Sequence, residues 1–437
     1  MTIVVFLVSA AGISPKLPPE LSMRDTLKHL GSVLGGEAAV RAANFAATLL
    51  IARVFGGSVL GAYTACLAIV TVVIMFADSG LQTSTITELS QGSSARGEIL
   101  GRLYLCKTIL IGAAALLLVV VGLWVSVGPT VWAIAAWITL RTALQSYSQL
   151  QMSALKACSK ANLIGATQAV HSVLLLIWIW LVYTQGWGIF ALLAGLTVGQ
   201  TFELAVLFLV LTRAGVRPTW PEHLLVVKVI TKSAPFGLSY GLANLIVRAD
   251  TIVLAALVPL SELGNFSAPN AILAMAYVVS WLFGTVVLPE MVRRSASPEN
   301  LKSYANRWVR WIAITMTPGT LLAFWAAPRV MNVLYGPAFY RSGSLASVMA
   351  LACPFIFLNS VYTNMAIATN SKSGLMGLFA ITAAVAVVLD LVLGRAFGAP
   401  GVAWAIVIRE VGMLVGLWTL KSRAAAPVTQ LDCGLSS

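Results

Sequence analysis

The sequence predicts an all-α polytopic membrane protein, with twelve transmembrane helices in two six-helix lobes. A parallel pseudo-two-fold repeat relates the lobes around a central cavity. Three observations lead there. Apolar residues make up 59% of the 437 and charged residues only 10%, against about 25% charge in soluble domains. Twelve apolar stretches follow one another, each close to the roughly 20 residues that a helix needs to cross a hydrocarbon core. Two short patterns also recur at matched places in the two halves.

A 13-residue apolar start (1–13) is too short to span and lacks the basic opening of a signal peptide. It reads as an upstream start or loose tail, with Met23 opening the working protein, inside a cytoplasmic tail 1–30. The N-terminal lobe (31–212) then holds spans at 31–53, 59–80, 108–127, 130–153, 162–184 and 188–212. The segment 213–232 is the most polar interior connection, with Pro218, Pro221 and four cations (Arg213, Arg217, Lys228, Lys232), and is a cytoplasmic linker. The C-terminal lobe (233–421) holds spans at 233–258, 265–288, 308–327, 344–368, 373–394 and 400–420. A cytoplasmic tail 422–437 closes the chain. The longest outside loop is expected at 328–343.

Charge orients these spans. With the N-terminus inside, 20 Lys/Arg fall in inside segments, four outside (Arg53, Arg329, Arg341, Arg395) and four mid-span. Lys107 is counted among the inside cations. That asymmetry is the positive-inside pattern and places both termini in the cytoplasm. The net charge of +13 therefore reports orientation, and no aromatic-basic interleaving suggests nucleic acid. Cys66, Cys106, Cys158, Cys353 and Cys433 are scattered without paired spacing. They read as small apolar residues, not disulfides or metal ligands.

The repeat is visible in two places. Ser58-x-Leu60-Gly61-x-Tyr63 closes the first hairpin, and Ser261-x-Leu263-Gly264-x-Phe266 closes the corresponding one 203 residues later. Gly188-Ile-Phe-Ala191 is echoed by Gly401-Val-Ala-Trp404. An even number of spans per half makes the repeats parallel, about an axis along the membrane normal. Small-xxx-small pairs (Gly31/Gly35, Gly57/Gly61, Gly195/Gly199, Gly237/Gly241, Gly412/Gly416) predict close helix packing.

Ionisable groups at bilayer depth face protein, water or a partner. The first span carries Glu37, Arg41, Asn44 and Thr48 along one helical face. The seventh carries Tyr240, Asn244, Arg248 and Thr251 in the same way. The fourth adds Arg141, Gln145, Ser148 and Gln149, the fifth Gln168 and His171, and the sixth Thr197, Gln200 and Glu203. Such stripes line either an interhelical polar seam or a cavity. Arg409 and Glu410 in the twelfth span are about 100° apart, which directs them to different neighbours. Arginine suits a diphosphate, because its planar fork donates paired hydrogen bonds and stays charged. However, Glu37, Glu203, Asp250 and Glu410 balance the four mid-span arginines, so each Arg is either a ligand contact or locked to an acid.

Asp250 and Asp390 lie at similar depth in spans seven and eleven. Either they hold Na⁺ or a proton, or they are separate helix-end acids that reach water. His171 is either a titrating group or a hydrogen-bonded structural residue.

Several segments carry a family resemblance over roughly 25–421. Arg53-Val-Phe-Gly56-Gly-Ser-Val-Leu-Gly61-Ala-Tyr63, with Asp78-Ser-Gly80, resembles the opening of the Wzx-type polysaccharide-lipid flippases of the MOP superfamily. So do Pro235-Phe-Gly237, Asp250, Leu263-Gly264-Asn-Phe266 and Pro289. Tyr335-Gly-Pro-Ala-Phe-Tyr340 is similar to the stretch before helix ten of that family. Asp390-Leu391 and Gly398-x-x-Gly401-Val-Ala403 are similar to its closing pattern.

The resemblance implies a bacterial inner-membrane carrier of polyprenyl-diphosphate-linked oligosaccharide that works by alternating access, without a cofactor and with H⁺ or Na⁺ as coupling ion. Arg41, Arg141, Arg248 and Arg409 would then meet the diphosphate. Glu37, Asn44, Gln145, Gln149, His171, Glu203 and Asn244 would face sugar or cavity, and Asp250 and Asp390 would couple the ion. Related peptidoglycan-precursor flippases hold Na⁺ between helices seven and eleven, but Ala386 stands here where a polar partner is expected. Implied partners are the lipid-linked glycan, membrane lipids, and the polymerase and glycosyltransferases of the pathway. Competing readings are a drug or cation antiporter of the same superfamily and a membrane-embedded polymerase or ligase. The mid-span arginines disfavour the first. The second lacks a large outer loop with an acid or His.

Overall fold

The computed structural model describes residues 23–78, 80–90, 96–125, 128–158, 161–219, 226–295, 297–369 and 372–424. The proposed start at residues 1–13, the middle of the linker and Cys433 lie outside them, as does the side chain of Tyr240.

Every predicted span falls mostly on helix, although the first runs on into a π-helical turn and the tenth takes in two helices. The first half contains α1 (Met23–Leu50), α2 (Gly56–Asp78), short α3 (Leu81–Ser90), α4 (Arg96–Val125), α5 (Pro129–Ala157), α6 (Ala161–Gln185) and α7 (Ile189–Arg213). The second contains α8 (Val226–Leu257), α9 (Leu260–Arg294), α10 (Pro298–Tyr335), α11 (Tyr340–Ala350), α12 (Cys353–Ala368), α13 (Lys372–Phe397) and α14 (Ala399–Ala424). Among the described residues, eight helical stretches are long and apolar enough to cross a membrane. Helices α5, α8 and α10 fall outside those eight, and the first two carry the mid-span polar residues Arg141, Gln145, Arg248 and Asp250.

Backbone chemistry sets the helix ends. Pro129 and Pro298 start α5 and α10, where a missing N–H is harmless. A single π-helical turn, Ile51–Phe55, ends α1, and Gly56 at φ +83° turns the chain into α2. Gly336 at φ +87° ends α10. Only glycine adopts such angles without strain.

Two expectations are corrected. Span ten is not one helix: it breaks at Leu351–Ala352, just ahead of Pro354, whose ring cannot continue the preceding ladder. The expected outside loop 328–343 is mostly helix. Pro328 is accommodated inside α10, and only Gly336 and the short 3₁₀ segment Pro337–Phe339 interrupt the helices.

The halves repeat one packing scheme. In the first, α1 packs on α6, α2 on α4 and α5, and α7 on α5 and α6. In the second, α8 packs on α13, α9 on α10 and α12, and α14 on α12 and α13. Between halves, α2 packs broadly against both α8 and α9, whereas α1 barely meets α9. A true two-fold arrangement would make the α1–α9 and α2–α8 contacts equal, so the α1–α9 side is the more sparsely packed of the two. Apolar clusters fill each half, and one of them crosses the boundary: Leu50, Ile51, Leu60 and Tyr63 pack with Ala268, Met331, Tyr335 and Phe339. Outward, Leu123, Trp124, Trp180, Leu322, Trp325, Val388 and Trp418 are exposed, the apolar surface that a lipid-facing bundle presents.

Candidate functional site

The polar face of α1 is partly exposed on the sparsely packed side of the boundary between the halves. Glu37 and Arg41 lie one turn apart, 3.8 Å from each other, with 37% and 47% of their side chains exposed. Asn44 follows on the same face. Its Oδ1 accepts a hydrogen bond of 2.6 Å from Arg141 Nη2 on α5, and the Nε of Arg141 is buried without a partner. Gln145, one turn along α5, is exposed. From the other half, Arg248 on α8 lies within electrostatic reach of Asp250 on its own helix, of Tyr63 on α2 and of Arg41. Three arginines from α1, α5 and α8 thus border one region. Among the described residues, neither Arg141 nor Arg248 forms an ion pair with a carboxylate. Asn244, one turn before Arg248, is half-buried.

Other predicted residues lie elsewhere. Gln149 is tied through Gln82, whose Nε2 donates both to Gln149 Oε1 and to Asp78 Oδ2, each at 2.7 Å. His171 and Glu203 are buried between α6 and α7 with His171 Nδ1 2.9 Å from Glu203 Oε2. Gln200 donates to the same carboxylate at 2.8 Å and to Ser148 at 3.1 Å. The expectation that His171 and Glu203 face a cavity is therefore corrected for this conformation, because both are buried between helices and Glu203 is held by His171 and Gln200.

Arg409 is also enclosed, within the second half. It donates to Ile246 O at 3.2 Å and to the Tyr277 hydroxyl at 3.3 Å, and its Nε lies 3.6 Å from Glu410 Oε1. Tyr277 in turn donates to Glu410 Oε1 at 2.7 Å, and Asn359 Nδ2 donates to Oε2 at 2.9 Å. Arg409 and Glu410 therefore share neighbours, contrary to the separate ones expected. The long guanidinium stem spans the 100° between them, and Tyr277 closes the loop.

Asp250 and Asp390 are both buried, which corrects the reading of separate acids reaching water. They lie within electrostatic reach of each other and of Arg409. Asp250 Oδ1 accepts from the Thr251 amide at 2.6 Å and its hydroxyl at 3.1 Å. Neither oxygen of Asp390 has a hydrogen-bond partner.

With this geometry in view, the model of a family described as polysaccharide biosynthesis protein matches residues 27–294, more than half of the chain. The chain belongs to that family. No curated protein matches its sequence. Among solved structures, the family member is similar to "Lipid II flippase MurJ, inward closed conformation", with TM-score 0.73 and 14% identity over 88% of this chain and 86% of that one. It is also similar to an inward-facing multidrug resistance MATE family transporter of the MOP superfamily, with TM-score 0.67 and 15% identity over 88% and 94%. A MOP superfamily transporter from Pyrococcus furiosus, whose structure is titled for the reverse polarity of its binding pocket, gives TM-score 0.60 and 14% identity over 92% and 95%. These likenesses establish a multi-pass, transporter-type helical fold.

Lys107, counted in the sequence as a cytoplasmic loop cation, is instead 0% exposed. It pairs with Asp78, which also accepts from Ser146 at 3.3 Å. The signal that could have found this was an unbalanced Asp78 at the end of one span, opposite a Lys at the start of the next.

Proposed function

We propose that this family member is a flippase that carries polyprenyl-diphosphate-linked oligosaccharide across the bacterial inner membrane for surface polysaccharide assembly, by alternating access of its lobes (31–212 and 233–421). One observation carries the reading: guanidinium groups from both halves come to one region, and among the described residues neither Arg141 nor Arg248 is in ion-pair contact with a carboxylate, Asp250 lying only within electrostatic reach of Arg248. A diphosphate would find the fork of Arg141, steadied by Asn44, with Arg41 and Arg248 across from it. Gln145 and Asn244 would meet sugar hydroxyls. The poorly packed α1–α9 side would let the prenyl chain stay in lipid while its head enters.

With the termini in the cytoplasm, the head enters from inside. A dianion moving outward across about 100 mV gains about 4.6 kcal/mol, on a scale of about 2.3 kcal/mol per charge. The chemistry is transport, with no bond broken.

A coupling ion would be held at Asp390, whose carboxylate is buried without a hydrogen-bond donor. The fixed charge of Arg409 beside both acids, and Ala386 one turn before Asp390, fit a proton there better than Na⁺, which needs several oxygen ligands. The polymerase and glycosyltransferases of the pathway would be the functional partners.

Substitution of Arg141 or Arg248 by Ala should abolish complementation of a flippase-null strain at unchanged protein level, while Lys restores part of it. Normal polymer output from both Ala variants would overturn the reading. The buried acids and MATE-like fold favour one alternative, an antiporter of drugs or other cations. A drug-susceptibility panel that moves with Asp390→Asn while polymer output does not would select it.

A further inference from the structure

The duplicated hairpin motif meets its own copy. Thr64 and Ser267 are 203 residues apart, the repeat distance, and their hydroxyls share a hydrogen bond of 2.8 Å across the boundary between halves. The glycines of the motif bring the backbones together. A Cβ on Gly61 would lie 1.9 Å from Leu260 O, and one on Gly264 would lie 1.9 Å from Gly57 O. No side chain fits at either point.

Beside this seam, Arg53 in the π-turn of the first half reaches across to the second. It donates to the carbonyls of Val333 and Leu334, in the last turn of α10. The closing carbonyls of a helix have no intrahelical partner and carry the negative end of its dipole. A guanidinium fork suits both. The Tyr335 hydroxyl adds a bond of 3.1 Å to Ala268 O. The repeat does not copy this arrangement, because position 256, 203 residues after Arg53, is Ala256. The glycine pairing therefore belongs to the shared architecture, whereas the arginine contact belongs to one side only.

We propose that Arg53 is the latch of a gate formed by the self-paired glycine motifs, at the end of the bundle that the charge asymmetry places outside. The polar contacts are of a kind that water can replace: a hydroxyl pair, close backbones and an exposed guanidinium on carbonyls. Opening also separates the buried packing of Leu60 and Tyr63 on Ala268, Tyr335 and Phe339, so the closed gate is the resting state and Arg53 adds to an apolar seal. Release of Arg53 from α10 then frees the first hairpin while each half keeps its own packing.

The test uses the full chain with its cysteines replaced and a single reporter, Gln145→Cys, labelled from the periplasmic side with a membrane-impermeant maleimide. Arg53→Ala should raise the labelling rate about tenfold, the shift expected from losing a hydrogen bond to a charged group. Arg53→Lys, which cannot fork across two carbonyls, should fall between. Separately, a Thr64→Cys, Ser267→Cys pair should cross-link on oxidation, suppress periplasmic labelling and block complementation, and reduction should restore both. Unchanged labelling in a well-expressed Arg53→Ala protein overturns the latch. Should that variant not accumulate, the cross-link decides: an oxidised pair that still labels or still complements overturns the gate. Labelling needs no substrate, so its failure and a wrong substrate assignment are distinguishable.

Discussion

Lys107 and Asp78 offer a prediction whose size follows from their burial. They are 0% and 3% exposed and form an ion pair between α4 and α2. Replacing Lys107 by Met keeps the volume but leaves the Asp78 carboxylate charged and enclosed, with only Gln82 and Ser146 as donors. Removing one partner of a buried pair costs about 3–5 kcal/mol. Asp78→Asn should cost a similar amount by stranding the lysine, and it keeps the shape that Gln82 recognises. In the double variant no charge remains, so its loss should fall short of the summed single losses by about 2 kcal/mol, within the usual range for contacting residues. Unfolding of the purified protein in mixed micelles measures all three. Because Gln82 Nε2 donates to both Asp78 and Gln149, Lys107→Met should in addition change the exchange of the side-chain amide protons of Gln82. Additivity of the two single changes within about 0.5 kcal/mol would refute the reasoning, since it would mean that the charges are solvated independently.

Two further outcomes are expected. Asp390→Asn should leave stability unchanged or raise it, because it neutralises a buried carboxylate that lacks any hydrogen bond, whereas Arg409→Met should cost about 3–5 kcal/mol by leaving Glu410, Asp250 and Asp390 uncompensated. Combining the two should recover part of that loss in the same unfolding assay. Gly264→Val should force α2 and α9 apart, at about the 1–3 kcal/mol typical of overpacking, and be read as lost oxidative cross-linking of the Thr64→Cys, Ser267→Cys pair.

How much of this was legible beforehand differs between residues. The face of α1 with Glu37, Arg41 and Asn44 follows from helical periodicity alone, and so does the depth at which Asp250 and Asp390 lie. The duplication was readable because Ser58-x-Leu60-Gly61 and Ser261-x-Leu263-Gly264 keep their spacing. What these motifs touch was not. Small-xxx-small pairs predict a close neighbour but never name it, and for Gly61 that neighbour lies in the opposite half. His171, Glu203 and Arg409 are polar, ionisable residues at bilayer depth like Arg41 and Arg141, yet they are enclosed by their own half.

The sequence by itself determined a chain that must live in a bilayer, the order of its apolar spans, and the face on which each polar residue stands. Composition and a 3.6-residue period suffice for that, since both are local properties. Only the tertiary structure decided which cations have acids beside them, which acids meet, and which glycines join the two halves. Those outcomes depend on interhelical distances of a few ångströms, which arise when helices far apart in the chain pack together and which no local pattern encodes.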